Sequence, residues 1–257
     1  MQILIGAAFA FAVAFAAYRA RSLTFSGAIA AFAIGTITFA AGGWPAAAVL
    51  FAFFIPSTLL SRAGKHRKRE LIDVGKQGAR DAWQVAANGG VAALAILLAP
   101  RFGGAFAAAF AGAFAAASAD TWGTEIGTLA RGTPRSIFTM RPVPTGISGG
   151  VTWQGTAAEI GGALFVALVA WSVHIAPLFP VAIAGIAGAL LDSALGASAQ
   201  ALRYCPRCER ECETNPHACG TPTVVRRGLA WFENDAVNLA ATLCGALAAA
   251  AAFYRFT

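Results

Sequence analysis

Long apolar segments dominate the sequence and constrain the fold more than any other feature. Each is close to the roughly 20 residues that cross a bilayer as a helix. They cover residues 2–18, 26–41, 44–60, 82–99, 103–119, 154–175, 180–200 and 235–254. A chain in lipid must satisfy its backbone hydrogen bonds internally, which favours helices. We therefore predict an all-α, polytopic transmembrane bundle of about eight spans, within a range of seven to nine.

The shortage of charge favours one membrane domain. Only 12% of the residues are charged, against about 25% in soluble proteins. We predict a single integral membrane domain over residues 1–257, with residues 201–232 as one small cytoplasmic loop. The first apolar segment has no Lys or Arg before it, which favours a retained helix over a cleaved signal peptide.

The basic residues predict the orientation. With the N-terminus outside, all of the 19 Lys and Arg residues except Arg101 and Arg255 lie on the inner side. Positive charge is retained on the cytoplasmic side during insertion. We predict a multi-pass protein of the cell membrane whose site faces the cytoplasm. Topology also explains the net charge of +7, so no nucleic-acid partner is predicted.

The acidic residues indicate a function. All 12 fall on the predicted inner side or in the inner halves of spans, several of them within or beside apolar helices. Ionisable groups there are costly and are tolerated when they face a partner, a metal or a water-filled cavity. Hydrogen bonding between helices is the alternative interpretation. It suits hydroxyls and amides better than it suits several carboxylates.

Polar residues also recur at helical spacing on five predicted helices. The five sets are Asp81, Gln84 and Asn88; Ser118, Thr121 and Glu125; Thr152, Thr156 and Glu159; Asp192 and Ser193; and Asn234, Asp235 and Asn238. Spacings of three, four and seven residues place side chains on one face of a helix. We predict that these faces meet in one cavity on the cytoplasmic side.

Carboxylates beside cationic loops suit a divalent cation that holds a phosphorylated ligand. Residues 144–152 (PTGISGGVT) lead into a predicted helix start. Gly146, Gly149 and Gly150 would let backbone N–H groups approach an anion there. No Gly-Lys-Ser/Thr follows, so this is not a Walker A loop. A plain turn is the alternative interpretation.

Several motifs resemble a known family. They are WQVAANGG (83–90), SADTWGTEIG (118–127), GISGGVTWQGT (146–156), LDSALGA (191–197) and NDAVN (234–238). Together they resemble the integral membrane family that includes plant phytyl-phosphate kinase and human transmembrane protein 19. That family is distantly similar to dolichol and phytol kinases and to phosphatidate cytidylyltransferases.

The resemblance implies an enzyme that uses CTP or another nucleoside triphosphate to phosphorylate a polyprenyl monophosphate of the phytyl or geranylgeranyl type. The product would be the diphosphate. A CTP-dependent lipid cytidylyltransferase is one alternative. A transporter or flippase for a lipid phosphate is an alternative of another class. Expected partners are a lipid in the bilayer and a nucleotide, and the oligomeric state is left open.

Residue roles follow from the motifs and the acidic pattern. The expected catalytic residues are Asp120, Glu125, Asp192, Asp235 and Asn238, with Mg²⁺ at Asp120 and Asp192. The expected substrate and phosphate contacts are Arg80, Asn88, Ser118, Thr121, Gly146, Gly149, Gly150, Thr152, Gln154, Ser193 and Asn234.

The predicted cytoplasmic loop also carries a cluster of metal-ligand residues. Its spacing is Cys-x2-Cys (Cys205, Cys208) followed by His-x-Cys (His217, Cys219). Four such ligands suit tetrahedral zinc, and a disulfide is disfavoured in a reducing cytoplasm. Cys212 could replace His217 as the fourth ligand. We predict a structural zinc site away from the chemistry.

Overall fold

The computed structural model describes residues 2–63 and 78–256. Most of the predicted cytoplasmic segment between Arg62 and Arg80 lies outside the described residues. Within them the chain forms seven helices. These are α1 (Gln2–Arg19), α2 (Phe25–Ala63), α3 (Ala82–Phe102), α4 (Gly104–Leu129), α5 (Trp153–Ser172), α6 (Leu178–Ser198) and α7 (Asn234–Phe256). The predicted helical membrane bundle is confirmed.

Helix α2 contains two of the predicted spans. Its two arms meet at Gly43, whose backbone is non-helical at φ 62° and ψ −152°. Glycine adopts a positive φ without a side-chain clash, and Pro45 then suits the first turn of the second arm. The predicted segments 26–41 and 44–60 therefore lie in the two arms, and each remaining segment corresponds to one helix.

Helix α4 is the centre of the bundle and packs against α2, α3, α5, α6 and α7. Glycines allow the close approach: a Cβ on Gly112 would lie 2.4 Å from the carbonyl oxygen of Gly245 in α7. Such small-residue contacts are typical of membrane helices. The other six helices are long and apolar enough to cross a membrane. Helix α4, rich in Ala and Gly and polar in its last turns, is not among those six.

Exposed tryptophans mark two levels of the bundle. Trp83 and Trp153 lie at the first residues of α3 and α5, whereas Trp44 and Trp171 lie near the opposite end. Tryptophan is enriched at the two membrane–water interfaces. Between these levels, large apolar side chains such as Leu97 are exposed on the outside of the bundle, as expected for a surface in contact with lipid.

Two small antiparallel sheets lie at the end of the bundle where α3 and α5 begin. Strand β1 (Arg135–Ser136) pairs with β2 (Gly150–Val151). The second sheet contains β3 (Leu202–Cys205), β4 (Arg210–Cys212) and β5 (Val224–Arg227), in the spatial order β4-β3-β5. The predicted loop 201–232 thus contains a three-stranded sheet that the all-α prediction omitted. Strands of two to four residues are too short to give a periodic pattern.

Candidate functional site

A cavity of about 620 Å³ opens at the end of the bundle that carries the small sheets. Its walls come from the segment that follows α1, the ends of α2, α4 and α6, the starts of α3, α5 and α7, and the loop before β2. Its volume falls within the range of small-molecule sites.

Most of the predicted site residues line this cavity. They are Arg80, Asn88, Asp120, Thr121, Glu125, Gly146, Gly149, Gly150, Thr152, Asp192, Ser193, Asn234 and Asn238. Three predicted site residues that the structure describes do not line it: Ser118, Gln154 and Asp235. Ser118 is fully buried in α4, and Gly162 of α5 packs on its backbone. The sequence predicted how far along their helices these three residues lie, but it could not predict which way each helix turns them.

Three carboxylates from three helices converge on one wall. The Asp192 carboxyl of α6 hydrogen-bonds with that of Asp120 in α4 and faces Glu159 of α5. Atom Oδ2 of Asp192 is buried and has no hydrogen-bond partner among the described residues. Gly123 makes room for this cluster, since a Cβ there would lie 2.8 Å from Glu159 Oε1. Carboxylates this close repel one another unless a proton or a cation lies between them. Their hard oxygen donors fit a divalent cation such as Mg²⁺.

Glu125 has different partners. Its Oε1 accepts a hydrogen bond of 2.8 Å from Ser61 Oγ of α2. Arg80 Nη2 in turn donates to Ser61 Oγ at 3.2 Å. Burial lowers the pKa of Arg80, whereas the nearby charges of Glu125 and Asp120 raise it. Arginine stays protonated in proteins, so Arg80 is a cation facing the acidic cluster.

Backbone pairing fixes Arg80 in place. Its N–H donates to Ser22 O at 3.0 Å, and its carbonyl accepts from Thr24 N at 3.0 Å. Arg62 lies beside it and donates to Ser22 Oγ at 2.8 Å, and Arg21 also lines the cavity. We refer to Arg21, Arg62 and Arg80 as the arginine wall. Arg21 and Arg62 were interpreted from sequence only as topology signals.

The loop at residues 144–150 is less open to an anion than predicted. The N–H groups of Ile147 and Gly150 donate to carbonyls of the same loop, and Ser148 N donates to Glu213 Oε1 at 2.7 Å. Gly149, at φ 83°, packs so closely on α6 that a Cβ would lie 2.4 Å from Ala197 N. The glycines of this loop therefore allow its turns and its close packing on α6.

Thr152 also has a structural role. It is the N-cap of α5, and its Oγ1 accepts from Gly155 N at 3.0 Å. Capping of this kind satisfies one of the unpaired N–H groups at a helix start. Asn88 similarly donates to Gln84 O within α3 at 2.9 Å.

Glu213 is a cavity residue that the sequence did not predict. Besides Ser148 N, its carboxylate accepts from Gln200 Nε2 at 3.3 Å, and it faces Asp192. Burial raises the pKa of Glu213, while its hydrogen bonds with Ser148 lower it. The residue follows Cys212, so the cysteine-bearing segment forms part of the cavity wall. The four predicted metal ligands in that segment do not themselves line the cavity, so a zinc site away from the chemistry stays a prediction.

The predicted metal ligands come together. The ligand atoms of Cys205, Cys208, His217 and Cys219 all lie within 4.8 Å of one another. Cys212 is not in this group, and its Sγ lies 3.8 Å from Thr214 O. The geometry therefore favours His217 over Cys212 as the fourth ligand. The Cys205–Cys219 sulfur distance is 3.6 Å, and three sulfurs with one imidazole suit tetrahedral zinc.

Hydrogen bonds within the cluster shift the pKa values of two of these thiols in opposite directions. Hydrogen bonds with Thr221 and His217 lower the pKa of Cys219 to about 5. A hydrogen bond with Cys219 is the main cause that raises the pKa of Cys208 to about 11. The lowered pKa favours the thiolate of Cys219, the form that binds metals, whereas the raised pKa of Cys208 favours its protonated thiol.

Comparisons with known proteins identify relatives over most of the chain. A family model described as "Integral membrane protein DUF92" matches residues 8–246. Protein PGR of Arabidopsis thaliana is 32% identical over 223 residues, which cover 75% of this chain and 77% of that protein.

Two microbial proteins are also similar. An uncharacterized membrane protein of Methanocaldococcus jannaschii is 31% identical over 183 residues, or 70% of this chain and 75% of that protein. One from Synechocystis is 27% identical over 179 residues, or 66% and 69%. No solved structure gives a significant match.

Proposed function

This chain belongs to the integral membrane protein family DUF92, and on that premise we propose that it is a membrane-embedded phosphotransferase. It transfers the terminal phosphoryl group of a nucleoside triphosphate, such as CTP, to a polyprenyl monophosphate. The product is the lipid diphosphate.

One observation carries the proposal. Asp120, Glu159 and Asp192 converge in the same cavity as the arginine wall, at the helix ends of a membrane bundle. Carboxylates bind the cation that accompanies a nucleotide, and guanidinium groups bind phosphate directly. A divalent cation held by Asp120 and Asp192 would neutralise charge on the triphosphate.

The chain itself contributes position and charge. Arg80, fixed by its backbone bonds to residues 22 and 24, offers its guanidinium to the acceptor phosphate. An oxygen of that phosphate attacks the terminal phosphorus of the nucleotide, and the bond from this phosphorus to the bridging oxygen breaks. The nucleoside diphosphate leaves with the electron pair. Because the acceptor is already an anion, little general-base help is needed, and positioning dominates.

The alternatives differ in product or in the location of polar groups. A cytidylyltransferase would direct the same attack to the α-phosphorus and release pyrophosphate. A flippase would need polar groups along a path through both halves of the bundle. The main buried cluster of the described residues consists of Ala, Val, Ile and Phe, including Phe53, Phe110 and Phe114. This apolar packing disfavours a transport path.

The function is tested with purified protein, magnesium, CTP or ATP, and a set of polyprenyl monophosphates, with lipid products identified by mass spectrometry. We expect a lipid diphosphate together with the nucleoside diphosphate. A CDP-lipid with pyrophosphate would instead establish the cytidylyltransferase. No new lipid with any nucleotide, from protein shown to be folded, would contradict the enzyme proposal.

We also propose that the cavity faces the cytoplasm and that the N-terminus lies outside. A cysteine introduced by Ser172→Cys, exposed at the end of α5 opposite the cavity, should react with a membrane-impermeant maleimide on intact cells. One introduced by Thr133→Cys, exposed at the cavity end, should react only after permeabilisation. The native cysteines can stay, and the unmodified chain measures their background. Labelling of Thr133→Cys alone would reverse the orientation.

We further propose that Cys205, Cys208, His217 and Cys219 hold a structural zinc ion. Purified protein should contain about one zinc per chain, as expected for a closed four-ligand site. The double variant Cys205→Ser/Cys208→Ser should lose the metal and melt at a lower temperature, since metal binding contributes folding free energy. Elemental analysis measures the zinc. Cys212→Ser is the matched control and should keep it; loss of zinc there would make Cys212 a ligand.

A further inference from the structure

A second, apolar pocket lies between α1 and the two arms of α2, with a volume of about 60 Å³. Its walls include Phe9, Ala10 and Ala14 of α1 and Gly35, Ala47 and Phe54 of α2. Small side chains create the space: a Cβ on Gly35 would lie 3.0 Å from Ala10 Cβ. Helix α1 packs principally against α2, so this pocket lies at the edge of the bundle rather than in its core.

The pocket adjoins the polar cavity directly. Leu23 and Phe54 line both spaces. Leu23 belongs to the short segment that pairs with Arg80, through the Ser22 and Thr24 bonds to its backbone. The arginine wall therefore stands where the apolar pocket meets the polar cavity. A molecule with an anionic head and an apolar chain fits across this junction.

We propose that the apolar pocket holds the first carbons of the lipid acceptor's hydrocarbon chain, with its phosphate against the arginine wall. The inference rests on the proposed function and adds to it a separate subsite for the acceptor. It leaves the carboxylate wall, formed by Asp120 of α4, Glu159 of α5 and Asp192 of α6, for the cation and the nucleotide. Since Arg80 faces Glu125 and Asp120, the two subsites meet where phosphoryl transfer would occur.

The role of the pocket is positional. Lipid tails are as apolar as leucine side chains, so a chain that moves from the bilayer into this pocket gains little from hydrophobic burial. What it gains is a fixed direction for the phosphate at its head, and alignment of this kind accelerates transfer. The existing space of about 60 Å³ would hold only about four to six water molecules at roughly 10–15 Å³ each. Only the carbons next to the phosphate therefore enter without a shift of α1.

Photocrosslinking tests the subsite without requiring turnover. The probe is a twenty-carbon isoprenoid monophosphate with a diazirine on the carbons nearest the phosphate, irradiated with the purified protein in lipid nanodiscs. Peptide mapping should place the adducts on pocket residues of α1 and α2. Excess unlabelled isoprenoid monophosphate should remove these adducts, whereas the same isoprenoid alcohol without phosphate should not.

Two variants of α1 sharpen the test. Ala14→Leu fills the pocket and should lower the adduct yield about tenfold. The matched control Ala12→Leu, on the exposed face of the same helix, should leave it unchanged. Adducts spread over the lipid-facing surface and insensitive to competition would overturn the subsite, and wild-type protein suffices for that outcome if Ala14→Leu does not fold. Pocket adducts without lipid diphosphate formation would instead retain the subsite and contradict the kinase.

Discussion

Asp120→Asn and Asp192→Asn should each lower turnover by about 10²- to 10³-fold while the protein still folds and inserts. Asparagine keeps the volume and one oxygen of the carboxylate but removes the charge that offsets the cation. Loss of one such electrostatic group typically reduces the rate by 10²–10³, or about 3–4 kcal/mol of transition-state stabilisation. The folded state should survive, because an amide can hydrogen-bond to the remaining carboxyl of the Asp120–Asp192 pair.

The measurement is the rate of lipid diphosphate formation, with thermal stability in detergent recorded alongside. Glu211→Gln, an exposed carboxylate on β4, is the matched control and should retain the wild-type rate. If these two aspartates only connect helices by hydrogen bonds, the amide variants would remain active. Near wild-type rates in both variants would therefore mean that Asp120 and Asp192 have only a structural role.

Arg80→Ala should cause the second-largest loss, on the order of 10²-fold in kcat/KM for the lipid acceptor, about 2.7 kcal/mol. Removing the guanidinium takes away a fixed phosphate contact and leaves Glu125 without its neighbouring cation. Arg80→Lys keeps the charge but not the planar fork of donors, so it should recover only part of the activity. Initial rates at varied lipid concentration measure the effect.

Two comparisons separate this role from general stability. Arg101→Ala, exposed at the far end of the bundle from the cavity, should behave as wild type. In Arg80→Lys the KM for the lipid should rise more than the KM for the nucleotide. Equal increases in both KM values would mean that Arg80 does not distinguish the acceptor subsite.

Much of the fold could be predicted because its signals are local. Apolar length alone located each helix of residues 2–63 and 78–256, and the break at Gly43 follows from glycine and proline chemistry in one short stretch. The family inferred from motifs is confirmed by the match over residues 8–246. Likewise, the Cys-x2-Cys and His-x-Cys spacing named four candidate ligand residues, and the structure brings their ligand atoms together.

The arrangement inside the cavity could not be predicted, because it depends on helix rotation and helix neighbours. The sequence grouped Glu125 with Asp120 and Asp192, yet the bundle places Glu159 beside that pair and turns Glu125 towards Ser61. The space for Glu159 depends on Gly123, which lies on a different helix. Periodicity within one helix carries no information about such a pairing.

Glu213 illustrates a second limit. It stands in a polar segment where acidic residues are ordinary, and nothing in its spacing distinguishes it from Glu209 or Glu211. Only the short strands β3 and β4 bring it to Ser148. Arg21 and Arg62 were likewise not predicted as site residues, because the positive-inside rule already explained their positions.

Phosphoryl transfer as proposed requires that the carboxylate wall bind a divalent cation. Purified protein can be titrated with Mn²⁺, a spectroscopic substitute for Mg²⁺, and the bound ion followed by electron paramagnetic resonance. We expect Mn²⁺ to bind the wild-type chain, and the Asp120→Asn/Asp192→Asn variant to lose that site while its zinc content stays unchanged. Mn²⁺ binding of equal affinity in the folded double variant would contradict a metal site at Asp120 and Asp192.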